Sequence, residues 1–362
     1  MCIVPDSYDG LEAKGVVSHI LQRDLGGYWD KVVTVHPFCH RRRVIKMSSV
    51  HTVQEYRLWD ALLLPKILRL AKREGVTAIK AHDPYFTGPL ALVLSLLLRV
   101  PYVVMICSSY DLIEERGETQ LRLKMLDKLV SRIVLSRAAT VFGGSGIARD
   151  WATRNRASST ELVRTGGIAD AHFVPPSKRE IARPSNGGTV LLVGRLDSIK
   201  YPEDALSAFA LIKRKYPSAL LLVVGDGALR TDLERKYNDP SIRFLRFVKH
   251  PSLMAQIMAE SDVALVPLGG SALVELALAE VPIVAYDTDW HKELVHDGAG
   301  VLVPFRDYKA MADAAVALLM GKDNAKEIGA KARETALAQH SLDVVQKHEA
   351  RCFDKILARS SR

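Results

Sequence analysis

The stretch PLGGSALVELALAEVPIVAY, residues 267–286, decides the fold. Before it, DVALV reads as an apolar strand. Two glycines and a serine follow, then a helical run carrying a single acid, Glu275, and PIVAY reads as the next strand. Strand, glycine turn, helix and parallel strand make one βαβ unit. Glycines at a helix start leave backbone N–H groups aimed outward, where they hold anions. A carboxylate one turn further in repels a phosphate and suits a neutral diol. The alternative is a helix-dipole or packing role for Glu275.

The same alternation runs in both directions. TVLLVGRL, ALLLVVGDG, IRFLRFV, DVALVP, PIVAY and GVLVP read as strands of the second half. CIVP, KVVTVHP, VTAIKAH, PYVVMIC, ATVFGGS and TELVRTGG read as strands of the first. Most are apolar throughout rather than alternating, as in strands covered on both faces of a parallel sheet. The fold class is therefore α/β, with two Rossmann-like doubly wound parallel-sheet domains and ligands expected in the cleft they face. At 362 residues the chain is long enough for two cores. The Pro-, Gly- and Ser-rich stretch FVPPSKREIARPSNGG (173–188) separates them. The expected boundaries are 1–175, a linker at 176–188, a second domain at 189–340, and a C-terminal helix at 341–362 that packs back on the first domain.

Composition excludes several classes. The four cysteines are scattered, without a CxxC pair or His/Cys cluster, so neither a disulfide framework nor a metal site is expected. MCIVPDSYDG lacks the basic start and apolar core of a signal peptide, which points to the cytoplasm. GPLALVLSLLLRVPYVVMIC (88–107) has membrane-spanning length, but Arg99 and Pro101 split it into a helix and a strand. The net charge is +9, and residues 1–175 hold 24 Lys and Arg against 17 Asp and Glu. HRRRVIK (40–46), PKILRLAKR (65–73) and LRLKMLDKLVSRIVLSR (121–137) carry much of it. They read either as solvated helix faces or as contacts to an anionic membrane surface, at its inner, cytoplasmic side, or to a phosphate-bearing acceptor. Nucleic acid is not expected, because no recognised binding motif accompanies the charge.

Three turns at strand ends carry the chemistry of the second half. In VGRLDSIKYPEDA, Arg195 and Lys200 stand five apart just past a strand, where both reach one diphosphate; the bland reading is a solvated loop. VVGDGALR lacks the full GxGxxG fingerprint, which argues against a nicotinamide dehydrogenase. The third turn is the opening one. In the first half, VTAIKAH ends in His82 and Asp83; Asp83 either receives an acceptor proton or caps a helix. In SYDGLEAKG, Gly10, Lys14 and Gly15 read as a loop over phosphates or as a plain turn. Asp111, in SSYDLIEERGE, is a further acceptor-side candidate.

Taken together, VGRLDSIKYPEDALSAFA, LLLVVGDGALRTDLE, IRFLRFV and SDVALVPLGGSALVELALAEVPIVAYDTDWHKELVHDGAGVLVP resemble glycosyltransferase family 4, the retaining GT-B nucleotide-sugar transferases. The likeness covers about 165–345 and extends faintly through AHDPYFTGPLALVLSLLLRVPYVVMI. It implies that Arg195 and Lys200 hold the donor diphosphate with amides around Gly270, Ser271, Ala272 and Leu273. It implies Glu275 on the donor ribose and Arg246, Phe247 and Val248 at the base edge. It implies a nucleoside-diphosphate sugar as donor substrate, no cofactor and no metal, and a glycan or lipid-linked acceptor in cell-surface polysaccharide or glycolipid synthesis.

Two positions depart from the family pattern. A second Glu usually precedes the ribose acid by eight residues, where this chain has Pro267. A His often ends the strand PYVVMIC, where this chain has Cys107, read as a small core residue in preference to a reactive one. The sugar pocket is therefore atypical. A transferase-like protein that binds nucleotide or glycan without turnover is the alternative, beside a GT-B enzyme making a soluble glycoside or sugar phosphate.

Overall fold

The computed structural model describes residues 1–13, 17–57, 63–107, 124–164, 188–248 and 250–360. Two compact units form. Unit 1 joins Met1–Gly167 to Asp343–Arg362, and unit 2 is Ile168–Leu342. The interdomain linker, Lys14, Gly15, Asp111 and Lys249 fall outside the described residues.

Unit 2 holds six strands: β9 (Thr189–Val193), β10 (Leu220–Val224), β11 (Ile242–Leu245), β12 (Val263–Val266), β13 (Ile283–Tyr286) and β14 (Val301–Val303). All pair in parallel, in the order β11-β10-β9-β12-β13-β14. Numbered within the unit this is 3-2-1-4-5-6, the doubly wound order of dinucleotide folds. Alternate side chains of each strand enter two cores. Val190, Leu192, Leu221 and Val223 pack with Phe209, Ile212 and Met311 on one face, and Leu191, Val224, Ala264 and Val266 pack with Leu273, Leu276 and Met258 on the other. Fully apolar strand runs follow from this two-sided cover.

Unit 1 holds β1 (Cys2–Ile3), β2 (Val32–Cys39), β3 (Arg43–Lys46), β4 (His51–Arg57), β5 (Ile79–Ala81), β6 (Tyr102–Ile106), β7 (Thr140–Gly143) and β8 (Thr160–Leu162). Their order is β3-β4-β2-β1-β5-β6-β7-β8, parallel except for β3, which runs antiparallel to β4. The β3–β4 hairpin corrects the expectation that HRRRVIK lies on a solvated helix face or stands free for a membrane. Arg43 pairs with both Asp9 and Glu55, and Arg41 pairs with Asp9, so much of this charge is neutralised locally.

Residues 88–107 divide as expected, into the helix Thr87–Leu98 and strand β6. Arg99 ends the helix in a left-handed conformation, two residues before Pro101. Among the described residues no helix is long and apolar enough to cross a membrane. The last helix, Leu342–Ser360, belongs to unit 1, where Cys352, Phe353 and Ile356 pack with Val103, Met105 and Phe142.

One face of β2-β1-β5 is polar. Cys2 lies beside Thr34 and Lys80 in register, and side chains alternate along a strand, so Thr34, His36, Lys80 and His82 share a side. Arg23 Nη1 donates to Thr34 Oγ1 at 2.8 Å, and Lys80 Nζ donates to Glu349 of the last helix at 2.5 Å. The opposite face, with Ile3, Val35, Ile79 and Ala81, is apolar core.

Candidate functional site

In an open α/β sheet the binding crevice lies beyond the carboxyl ends of the strands, where the order reverses. In unit 2 that point is between β9 and β12. The segment after β9 carries Arg195 and Lys200, and the segment after β12 carries the Gly269–Gly270–Ser271 turn.

The turn after β9 is held against the one after β10. The Gly194 amide donates to Val224 O at 3.0 Å, and Leu196 N to Asp226 O at 2.9 Å. Gly225 has φ +148°, and a Cβ there would stand 1.9 Å from Gly194 O, so only glycine permits this approach. A 3₁₀ turn, Ser198–Lys200, then delivers Lys200 to the start of the helix Pro202–Lys215. Arg195 points outward, 59% exposed, with Nη1 2.9 Å from Asp197 Oδ2.

The turn after β12 is held by a histidine. Gly269 N donates to His291 Nε2 at 2.8 Å, and His291 Nδ1 lies 2.8 Å from Tyr286 O. With Nε2 accepting and Nδ1 donating, this fully buried ring is neutral and in a single tautomer. A Cβ on Gly269 would lie 2.9 Å from Leu273 Cβ, so the turn sits tightly on its own helix. Gly270 is the N-cap of the helix Ser271–Leu278, without a side-chain cap. The first amides of a helix have no partner within it, which leaves Gly270, Ser271 and Ala272 for a ligand. The Leu273 amide does not join them: it donates to Gly270 O at 3.0 Å, and its side chain is fully buried. That corrects its place in the expected donor set.

The two turns converge. Lys200 Nζ lies 3.9 Å from where a Cβ on Gly270 would stand, so the cation and the helix start face one small space. Glu275 is half-buried one turn into the helix, and burial raises its pKa above the ordinary carboxylate range. Among the described residues its carboxylate has no hydrogen bond or ion pair. Arg246 and Phe247 are exposed beyond the edge strand β11, and Val248 packs against the core. Pro267 is buried directly after β12, so no carboxylate enters from that position.

Two contributors went unread in the sequence. Arg230 donates from Nη1 to Gly225 O at 3.0 Å and to Leu245 O at 3.1 Å, fastening the ends of β10 and β11. His291 is the clamp just described. Each joins a backbone atom five residues away to one 15 or 22 residues away, a pairing no local motif signals.

Unit 1 contradicts several expectations. The Asp83 carboxylate accepts from the amides of Tyr85, Phe86 and Thr87 and, at 2.7 Å, from Thr87 Oγ1. It is buried and caps the helix Thr87–Leu98, so the capping alternative describes it, not that of a free proton acceptor. Burial, with Arg23, Lys80 and His36 nearby, holds His82 well below the usual histidine range, which makes it a poor base. Gly10 lies inside the helix Tyr8–Ala13 with its amide 3.1 Å from Ser7 Oγ, so it is a helix residue rather than part of a loop. Cys107 is exposed one residue past the buried end of β6, not a core residue. A cavity of about 260 Å³ opens at the amino ends of β1, β2 and β5, beside Arg23, Lys80 and Glu349. It is at the wrong end of the strands for the site above.

The family profile described as "Glycosyl transferases group 1" matches residues 187–321, the stretch containing both turns. That profile covers the second half of the chain, and over those residues the sequence is similar to group 1 glycosyltransferases. It is 29% identical over 248 residues to the phosphatidyl-myo-inositol mannosyltransferase of Mycobacterium leprae, covering 65% of this chain and 62% of that protein. It is 27% identical over 283 residues to the alpha-D-kanosaminyltransferase of Streptomyces kanamyceticus, covering 73% and 72%. The match thus spans less than two thirds of the first relative's own length. The fold of the chain is similar to that of sucrose-phosphate synthase from Thermosynechococcus elongatus (TM-score 0.77, 18% identity, 99% of each chain). It is also similar to that of Anabaena HepE, solved in complex with UDP (TM-score 0.75, 17% identity, 98% of this chain and 99% of that one). Two Rossmann-like parallel-sheet domains of the GT-B class are therefore the fold found, as expected.

Proposed function

We propose that the protein transfers a sugar from a nucleoside-diphosphate donor to an acceptor hydroxyl with retention of configuration. The observation that carries this reading is the convergence of Lys200 Nζ on the Gly270 helix start at the sheet's switch point. The Lys200 ammonium, the Arg195 guanidinium and the amides of Gly270, Ser271 and Ala272 receive the diphosphate. These fixed positive groups stabilise the charge that grows on the leaving phosphate as the anomeric C–O bond breaks, without need of a metal. The acceptor oxygen forms the new bond and its proton passes to the departing phosphate on the same face. Glu275, as a carboxylate, accepts hydrogen bonds from the ribose hydroxyls. Its partnerless state among the described residues supports that role over packing.

The Mycobacterium leprae relative is named for mannosyl transfer to phosphatidyl-myo-inositol, which supports a lipid-linked acceptor, and the Streptomyces kanamyceticus relative for the kanosaminyl sugar it transfers. For a lipid-linked one, we place the membrane contact on two packed helices, Thr87–Leu98 and Lys124–Arg137. Leu96, Leu97, Leu129 and Ile133 are exposed there, with Arg99 and Arg137 at the helix ends.

The test is binding to a panel of UDP- and GDP-sugars by calorimetry, followed by product analysis with candidate acceptors. The expected result is binding of one donor class with turnover and an α-configured product from an α-linked donor. Binding of no nucleotide sugar overturns the reading. Binding without turnover on any acceptor favours the non-catalytic alternative, for which Pro267 is the structural reason.

A further inference from the structure

We propose that unit 1 carries a metal site for a zinc-type divalent ion, formed by Glu161, His348 and Cys352. One ligand atom from each of these residues lies within 4.8 Å of the other two. His348 and Cys352 stand four residues apart on the helix Leu342–Ser360, so they share one face a turn apart. Glu161 comes from β8, the edge strand at the end of the sheet. The sequence hides the group, because a strand residue and two residues of the last helix form no spaced motif.

The donor set selects the ion. A thiolate, an imidazole and a single carboxylate suit a borderline ion such as zinc, whereas magnesium and calcium demand oxygen ligands. With both acids ionised, the charge of a divalent cation is balanced. The Cys352 thiol is free and buried, and His348 Nε2 is buried without a hydrogen-bond partner among the described residues. Such a polar atom ordinarily has one. Glu161 is 36% exposed, which leaves a fourth, solvent position. Its one recorded ion pair, to Lys355 Nζ at 3.8 Å, is too long and exposed to compete strongly. Ligands up to 4.8 Å apart must draw together by about 1 Å to meet a tetrahedral zinc, which side-chain rotation supplies. The site lies in unit 1, whereas the donor residues all lie in unit 2. Its role is structural, tying the returning helix to the edge of the sheet.

The test uses the full-length protein, stripped with a chelator and dialysed. Zinc uptake is measured by mass spectrometry of the metal, and cobalt(II) is added separately as a spectroscopic probe. The expected result is one equivalent of zinc, a higher melting temperature, and a thiolate-to-cobalt charge-transfer band. His348→Ala and Glu161→Gln change partly exposed side chains and keep the fold by circular dichroism. His348→Ala should weaken zinc binding at least ~100-fold, the upper end of what outer-shell partners alone are worth. Cys352→Ala should abolish the cobalt band. No zinc uptake by the wild type, or unchanged uptake in both His348→Ala and Glu161→Gln, overturns the proposal.

Discussion

Setting aside the edge strands β3 and β8 of unit 1, the two sheets share a strand order but not an interior. In unit 2, β9, β10, β12 and β13 are aliphatic apart from Thr189 and Tyr286, and the Tyr286 hydroxyl donates to Asp204 at 2.9 Å. In unit 1, one face of β2-β1-β5 holds Thr34, His36, Lys80 and His82, with Arg23 and Glu349 packed against them. A dry aliphatic sheet holds its loops at fixed spacing whatever the pH, which suits unit 2 to a site built from backbone amides. A sheet with ionisable groups inside depends on their protonation state.

The largest expected effect tests that contrast directly. Burial, then the Arg23 charge, pushes His36 down to about 4 in the folded protein, against ~6.5 for a free imidazole. The folded state therefore binds fewer protons than the unfolded state between those values. Stability of unit 1 is unaffected above pH ~6.5 and falls as the pH drops toward 4, by roughly 3 kcal/mol from this group alone. Hydrogen exchange read separately in each unit should show β2 and β5 losing protection at pH 5 while β9 and β12 keep theirs. His36→Leu should flatten that loss. If unit 2 opens first on acidification, the contrast between the sheets is wrong.

Next in size is Lys200→Ala. Losing one charge-assisted contact to the diphosphate should weaken nucleotide-sugar binding about 10- to 100-fold, without changing the melting temperature by more than a degree or two. Arg195→Ala should do less, because Arg195 is exposed and already paired with Asp197. Equal affinity for wild type and Lys200→Ala in calorimetry would remove the donor site from this turn.

Glu275 gives a smaller effect with two opposite signs. Its raised pKa means that ionisation costs the fold stability at neutral pH, and that the cost disappears as pH falls through the raised value. Glu275→Gln should therefore raise the melting temperature at pH 7 while weakening nucleotide binding about three- to tenfold. In the wild type, affinity should decline on acidification at a pH above the ordinary glutamate range. A variant that loses stability and keeps affinity would assign Glu275 to packing.

Smallest of all, Arg41→Ala should change stability by no more than ~0.5 kcal/mol, since its pair with Asp9 is exposed. It should leave binding to anionic vesicles unaltered, while Leu96→Asp with Leu97→Asp should reduce it. Reduced sedimentation of Arg41→Ala with vesicles would move the membrane contact to the β3–β4 hairpin.

Much of the fold was legible because strands covered on both faces must be apolar, and most of the twelve quoted strand segments show this. The β3–β4 hairpin was not. Its edge strand RVIK sits in a run of charge, and its arginines are stabilised by Asp9 and Glu55, which are far away in sequence. At the candidate site, Lys200 and the glycine turn were legible because strand ends at a switch point are where ligands bind. Asp83 was ambiguous, since a cap and a proton acceptor use the same side chain. Only its contacts to Tyr85, Phe86 and Thr87 decide between them. Gly10 read as a loop because glycine is rare in helices, yet it lies within one.

The return of the last helix to unit 1 bears on how the chain is made. Unit 2 is one continuous stretch and can close as soon as it has left the ribosome. Unit 1 cannot: the partners of Val103, Met105 and Phe142 include Cys352, Phe353 and Ile356, which are synthesised only after the whole of unit 2. At a synthesis rate of ~5–20 residues per second, that apolar face waits on the order of ten seconds or more for its cover. The N-terminal half is translated before unit 2 and completed after it, so a stop codon before residue 343 would leave it open even with unit 2 intact.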